Sequence, residues 1–150
     1  MSPIIEVLSR LDRAEHGLLG IGIPKCPASA LLAASLPTIA ASRPGVVVES
    51  IVLATPEDWA LRETELWPRE IRVSRASAPA LFLLRDGRTV ATRPGAAPSY
   101  ALDEWLTAVL GPPAAPVGKD LTDAERNILE ETAARRAQHS AVKSKGRLSS

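Results

Sequence analysis

The sequence predicts an α/β fold in which a mixed sheet of four to five strands is flanked by helices and followed by a C-terminal helical extension. The first observation is the segment 78–92, in which a proline opens an apolar strand, Asp86-Gly87 forms a two-residue turn and a second strand follows. This is the pattern of a β-hairpin. The second observation is the upstream order of helix, strand, helix and strand, which is typical of parallel strands joined by a helix.

The first helix is predicted from its cap. Ser2 is a favourable N-cap residue and Pro3 suits the first helical position. The helix is expected to end near His16 and Gly17. A short apolar stretch rich in glycine then predicts a strand at 18–23 that other backbone approaches closely.

The second helix is predicted from 27 to about 43, where leucine and isoleucine recur at helical spacing. Pro37 lies inside it and is expected to kink it, because proline lacks a backbone N–H. The apolar run 46–53 predicts a buried strand.

Two further helices complete the predicted core. Thr55 followed by Pro56 and two acids indicates a helix start, and Pro68 is expected to stop or bend that helix. The apolar stripe at 99–110 predicts the last core helix. Core packing is the favoured interpretation of the three tryptophans in these helices, which are Trp59, Trp67 and Trp105.

The domain organisation follows from a change in composition near residue 111. Residues 2–111 are predicted to form one domain, and 112–120 a linker rich in proline and alanine. Within 121–150, Thr122 and Glu125 form the capping box of a separate helix that should end near Ser140, followed by a basic, disordered tail.

Composition excludes several function classes. The chain has 150 residues, 45% of them hydrophobic, and a formal net charge of +1, so neither nucleic acid nor a membrane is indicated as a partner. Its apolar runs are too short to span a bilayer, and its start lacks the pattern of a signal peptide. A single cysteine cannot form an internal disulfide, which favours a reducing, cytoplasmic location.

Cys26 is the candidate reactive group. A cysteine just before a helix has its thiolate stabilised by free backbone N–H groups, and Lys25 adds a nearby cation. The alternative is an inert, half-buried side chain that packs as a small hydrophobe. No metal site is predicted, because His16 and His139 lie in different segments and the cysteine has no partner at ligand spacing.

The Cys26-Pro27-Ala28-Ser29 motif and the proline before the hairpin resemble the thioredoxin superfamily. The resemblance implies that the Ala78-Pro79 bond is cis and that Pro79 faces Cys26. It also implies a peptide-binding groove, formed by Lys25, Cys26, Pro27, Ala78, Pro79 and Ala80. The chain departs from thioredoxins in lacking the second cysteine, the aromatic residue before the first cysteine and an acid in the preceding strand.

A narrower resemblance lies in two stretches, 27–45 and 79–87. The first stretch has prolines at intervals similar to those in the accessory proteins of nickel–iron uptake hydrogenase operons. The second stretch resembles the same proteins in its apolar strand, which ends in Arg-Asp-Gly. Those proteins lack the redox cysteine pair and are thought to act as assembly chaperones. The resemblance implies that this chain binds a hydrogenase small subunit through its export signal.

Two functions follow from these observations. The favoured one is a non-catalytic binding protein that needs no cofactor and holds a protein or peptide client in the groove. The alternative is a monothiol redox protein in which Cys26 and Ser29 are catalytic and glutathione is the partner. Six arginines between 69 and 93 either form a cationic rim for an acidic partner or, as we prefer, a solvated surface.

Overall fold

The computed structural model describes residues 2–148 and has five α-helices and four strands. In chain order these are α1 (Pro3–Asp12), β1 (His16–Gly22), α2 (Pro27–Ser42), β2 (Val46–Val52), α3 (Pro56–Leu61), β3 (Ala80–Arg85), β4 (Arg88–Pro94), α4 (Ser99–Leu110) and α5 (Asp123–Leu148). A π-helical segment and a short 3₁₀ turn extend α3 to residue 69.

The strands form one mixed sheet in the order β2-β1-β3-β4. β1 pairs with β2 in parallel and with β3 antiparallel, and β3 and β4 form an antiparallel hairpin. Asp86 and Gly87 both have positive φ, of 50° and 81°, as the predicted two-residue turn requires. The predicted α/β fold with a mixed sheet of four to five strands is confirmed, and the described residues form four strands.

Alternation along β1 divides the core into two layers, one on each face of the sheet. Leu19 and Ile21 belong to the layer on the α1 side, whereas Leu18 belongs to the layer beneath α2 and α4. The glycines of β1 allow close packing of helices: a Cβ on Gly20 would lie 2.8 Å from a methyl carbon of Leu36 in α2. The predicted strand is present, but the atoms that approach its glycines most closely are side-chain atoms of α1 and α2 rather than the backbone that the sequence pattern predicted.

The start of β1 differs from the prediction. α1 begins as predicted, with the Ser2 hydroxyl accepting a hydrogen bond from the N–H of Ile4. It ends at Asp12, however, and β1 already begins at His16, which pairs with both Val46 and Arg85. His16 and Gly17, which the sequence pattern assigned to the end of a helix, are therefore strand residues, because β1 pairs with a neighbouring strand on each side.

The helix after β2 also differs from the prediction, because its geometry changes at Arg62. Thr55 caps the helix as predicted, and with Asp58 it forms a capping box. The π-helical segment, Arg62–Leu66, has a wider turn than an α-helix, which changes the direction of the side chains that follow. Leu66 is buried, whereas Trp67 is 39% exposed and lies 5.2 Å from the guanidinium of Arg72. The expectation that Trp67 packs in the core is wrong.

α5 packs against α2 and continues eight residues past the predicted end at Ser140. The preceding segment runs along the C-terminal end of α2, where the N–H of Ala114 donates to the carbonyl of Ser42 at 3.0 Å. The division into 2–111, 112–120 and 121–150 stays a prediction about how the chain folds. Within the described residues no helix is long and apolar enough to cross a membrane.

Candidate cleft at Cys26

Cys26 lies at the junction of β1 and α2, where a tight loop joins the two elements. Lys25 adopts a left-handed conformation, with φ of 56°, and Cys26 is the N-cap of α2. Its sulfur accepts a hydrogen bond from the backbone N–H of Ser29 at 3.4 Å, and its carbonyl accepts one from Ala30. The thiol therefore occupies the position that the sequence predicted, at the positive end of the helix dipole.

Ser29 anchors this loop to the sheet. Its hydroxyl oxygen accepts a hydrogen bond from the N–H of Ile23 at 3.0 Å, and the side chain is buried against Gly22. A Cβ added to Gly22 would lie 2.7 Å from the Cβ of Ser29, so the close approach depends on glycine. The serine of the motif is thus a structural link between β1 and the start of α2.

The thiol environment favours the thiolate. Burial raises the pKa of Cys26, but hydrogen bonds from the side chain and backbone of Ser29 and from the backbone of Ala28 lower it more, and the net pKa lies below the ordinary value. A thiol of this kind is more nucleophilic near neutral pH than a free cysteine. The side chain is half-buried.

An open cleft of about 330 Å³ adjoins Cys26. Lys25, Cys26 and Pro27 line one side of it, together with Val52 at the end of β2. The opposite wall belongs to α5 and consists of Ile128, Glu131, Thr132 and Arg135. Sequence analysis missed this wall, because no local pattern in α5 indicates which helix it packs against.

The other three predicted groove residues lie on the neighbouring strand. The Ala78-Pro79 bond is cis, and the register of β3 against β1, with Ala80 opposite Ile21, brings that bond alongside the end of β1. Pro79 and Ala80 are buried, and the carbonyl of Pro79 accepts a hydrogen bond from Gly95. Among the described residues the cleft lining includes Lys25, Cys26 and Pro27 but none of these three, so the structure brings together only half of the predicted groove.

A second, smaller depression of about 210 Å³ lies on the other side of Pro24. It contains Trp59, whose ring lies 5.1 Å from the guanidinium of Arg75 and 5.4 Å from that of Arg62. The guanidinium groups of Arg62 and Arg75 therefore both stack on the ring of Trp59. Arg69, by contrast, forms an ion pair with Asp12 at 2.6 Å on the α1 side.

In the part of the chain that the structure describes, no group of three or more histidine, cysteine, aspartate or glutamate side chains could hold a metal ion. The chemistry available at the cleft is that of one thiol with a lowered pKa, apolar walls, and the charged groups of Lys25, Glu131 and Arg135 at its edges.

Comparison with solved structures identifies the fold as thioredoxin-like. Oxidised thioredoxin from Plasmodium falciparum matches with a TM-score of 0.55 and 17% identity, covering 70% of this chain and 90% of that one. Thioredoxin f2 of Chlamydomonas reinhardtii matches with a TM-score of 0.54 and 17% identity, covering 70% and 90%. Reduced desulfothioredoxin from Desulfovibrio vulgaris Hildenborough matches with a TM-score of 0.52 and 19% identity, covering 69% and 88%.

The comparisons with family models and with curated proteins give no match. The sequence identities to the solved structures are low, so the similarity establishes the fold and leaves the activity open. The chain has a thioredoxin-like fold with one cysteine at the position where the loop meets α2.

Proposed function

We propose that this protein is a non-catalytic binding protein that holds a segment of a client in the cleft at Cys26. The observation that carries the proposal is the combination of an open cleft beside Cys26 with the absence of a second cysteine from the sequence. A chain with a single cysteine cannot form an internal disulfide, because it has no second thiol. Its cleft, however, is open and available to bind a peptide.

The cleft fits a mainly apolar segment of a partner. Ile23 and Pro24 of the loop, Val52 of β2 and Ile128 of α5 supply the apolar surface. Side chains at the rim are charged, with Lys25 on the loop and Glu131 and Arg135 on α5. Apolar walls with a few polar groups at the edge are typical of sites that bind peptides and small ligands.

The most specific form of this proposal is a role in hydrogenase maturation. It rests on the resemblance of residues 27–45 and 79–87 to the hydrogenase accessory proteins. In this form the client is the small subunit of a nickel–iron hydrogenase, and the segment bound in the cleft belongs to its export signal.

Two variants, each with an alanine replaced by arginine, test the binding site. Ala30 lines the cleft on an exposed part of α2, and Ala108 is an exposed alanine of α4 outside it. Binding of a fluorescent peptide with the sequence of a hydrogenase export signal is followed by anisotropy. We expect Ala30→Arg to weaken binding at least tenfold, because the long side chain fills the cleft, and Ala108→Arg to leave it unchanged.

Cys26→Ser should also leave peptide binding unchanged, since the serine hydroxyl retains the N-cap position. No binding by the parent protein would reject the hydrogenase form of the proposal. Equal loss in the Ala30→Arg and Ala108→Arg variants, or loss in the Cys26→Ser variant, would reject the cleft as a thiol-independent binding site.

The lowered pKa of Cys26 favours a second candidate, a monothiol redox protein. In this reaction the Cys26 thiolate attacks the disulfide of oxidised glutathione, a mixed disulfide forms and one glutathione thiolate leaves. A cysteine thiolate of a partner protein then attacks the glutathione sulfur of the mixed disulfide, which releases the Cys26 thiolate and leaves the partner as a mixed disulfide with glutathione. Intact mass after incubation with oxidised glutathione should show one adduct that is absent from Cys26→Ser; an unmodified parent protein rejects this function.

A further inference from the structure

The two edges of the sheet differ in how they are protected against pairing. β4 carries Arg88, Arg93 and Pro94, and the β3–β4 ladder has a bulge between Leu83 and Leu84. Charged side chains, proline and bulges are the usual devices that prevent an edge strand from pairing with another chain. β2 contains no proline, and its one charged residue is Glu49.

The backbone of β2 has unused hydrogen-bonding groups that point away from the sheet. The N–H of Leu53 donates to the carbonyl of Gly22, and directions alternate along a strand, so the backbone groups of Val48 and Ser50 face outward. Exposed valines flank them, with Val47 37% and Val52 48% accessible. The edge is therefore apolar and open over several residues.

The charge of Glu49 is already compensated. Its carboxylate accepts a hydrogen bond from Arg10 of α1 at 2.6 Å, and the hydrogen bond with Glu49 and the nearby charge raise the pKa of Arg10. A neutralised acid does not repel an approaching strand in the way that a free one does. The charge that would otherwise guard this edge is thus part of an ion pair.

Space for a further strand lies next to the outward-facing groups. A groove of about 200 Å³ runs between β2 and α2 and is lined by small or apolar residues, among them Ala33, Pro37 and Ala40. Val48 and Ser50 form its other side. Side chains of a strand added at β2 would enter this groove on the α2 face of the sheet.

We infer that β2 is a dimerisation edge that pairs antiparallel with β2 of a second copy of this chain. Pairing over the whole strand places Val48 opposite Ser50 of the second copy, and Glu49 opposite Glu49. Each Glu49 is paired with Arg10 of its own chain, so the two carboxylates that meet at the two-fold axis are already compensated. A second copy is favoured as the partner because Val48 and Ser50, whose backbone groups face outward, lie symmetrically about Glu49 and pair with each other across the axis. The result is a continuous eight-stranded sheet.

Sedimentation velocity over a concentration series tests the inference. We expect a dimer for the parent protein and a monomer for Ser50→Lys, which places a charge in the groove on both sides of the axis. Val90→Lys is the matched control, since Val90 is an exposed residue of the other edge, β4, and it should leave the dimer intact. Circular dichroism verifies that both variants are folded.

A second pair of variants tests the charge arrangement. Arg10→Ala leaves two bare carboxylates at the axis and should weaken the dimer roughly five- to tenfold. Glu49→Gln in the same background should restore it. Amide exchange at Val48 and Ser50 should slow as the dimer forms. A parent protein that stays monomeric, a dimeric Ser50→Lys, or an Arg10→Ala variant with unchanged affinity would overturn the inference.

Discussion

The carboxylate of Glu125 in α5 accepts a hydrogen bond from the backbone N–H of Ser99, the first residue of α4, at 2.9 Å. It also accepts hydrogen bonds from the Ser99 hydroxyl at 2.9 Å and from the N–H of Thr122 at 3.1 Å. Glu125 is fully buried. One side chain therefore caps its own helix and the N-terminus of another, and it attaches α5 to the sheet domain.

Replacing Glu125 with glutamine should destabilise the protein by about 2 kcal/mol. All the groups around this carboxylate donate hydrogen bonds. In the glutamine variant an NH₂ group replaces one of the two carboxylate oxygens, so at least one of these donors loses its acceptor. Urea unfolding followed by circular dichroism measures the effect. Glu130→Gln, at an exposed position of α5, is the control and should change the free energy of unfolding by less than about 0.5 kcal/mol. Equal effects of the two substitutions would contradict the role given to Glu125.

The stability of the fold should fall in acid partly through this carboxylate. Burial raises the pKa of Glu125, but the hydrogen bonds from Ser99 and Thr122 lower it more, and the net pKa lies below the ordinary value. The stabilisation is therefore fully present above the pKa of an unfolded glutamate, about 4.3, and is lost as the pH falls through the lower pKa of the folded state.

Unfolding free energies measured between neutral pH and pH 3 should consequently decrease more steeply below pH 5 for the parent than for Glu125→Gln. Asp58 also has a lowered pKa, because the N–H groups of Ala54 and Thr55 donate to it, and it contributes equally to both proteins. Parallel pH profiles would show that Glu125 is not a source of the acid sensitivity.

Gly22→Ala should destabilise the protein by about 1–3 kcal/mol, because the new methyl group would overlap the side chain of Ser29. Gly45→Ala is a matched control, since a Cβ at Gly45 has no neighbour within 4 Å. The loop between β1 and α2 should move in the Gly22 variant, so alkylation of Cys26 should change as well. A Gly22→Ala variant as stable as Gly45→Ala would show that the close approach of Ser29 to β1 is dispensable.

The Cys26 thiol should ionise below the ~8.5 of a free cysteine. Rates of alkylation by iodoacetamide across a pH series give the apparent pKa, and the urea-unfolded protein gives the reference value. Ser29→Ala removes one hydrogen bond to the sulfur and should raise the apparent pKa toward that reference. Identical values for folded and unfolded parent would remove the basis of the redox alternative.

The elements that the sequence predicted correctly are those specified by neighbouring residues. Pro79 and the Asp86-Gly87 turn define the hairpin locally, and Thr55 and Asp58 form their capping box within a single turn. These interactions involve residues close in the chain, so the residue types alone indicate the geometry.

What the sequence did not predict depends on contacts between distant segments. The capping box of Thr122 and Glu125 was recognisable, but its partner Ser99 lies 26 positions away and no spacing rule connects them. The α5 wall of the cleft was missed for the same reason. Trp67 was misplaced because a π-helical turn, which has no clear sequence signature, changed the direction of its side chain.

The position of α5 makes the cleft and the docking of this helix thermodynamically coupled. Thr132 and Arg135 line the cleft, while Glu125, two to three turns earlier on the same helix, supplies the anchor. A molecule bound between α2 and α5 adds its binding energy to the cost of releasing the helix, and a change that loosens the Glu125 anchor weakens that molecule's affinity by the factor by which it lowers the docked population of α5. A carboxylate outside the cleft lining thus holds in place the helix that forms one wall of the cleft.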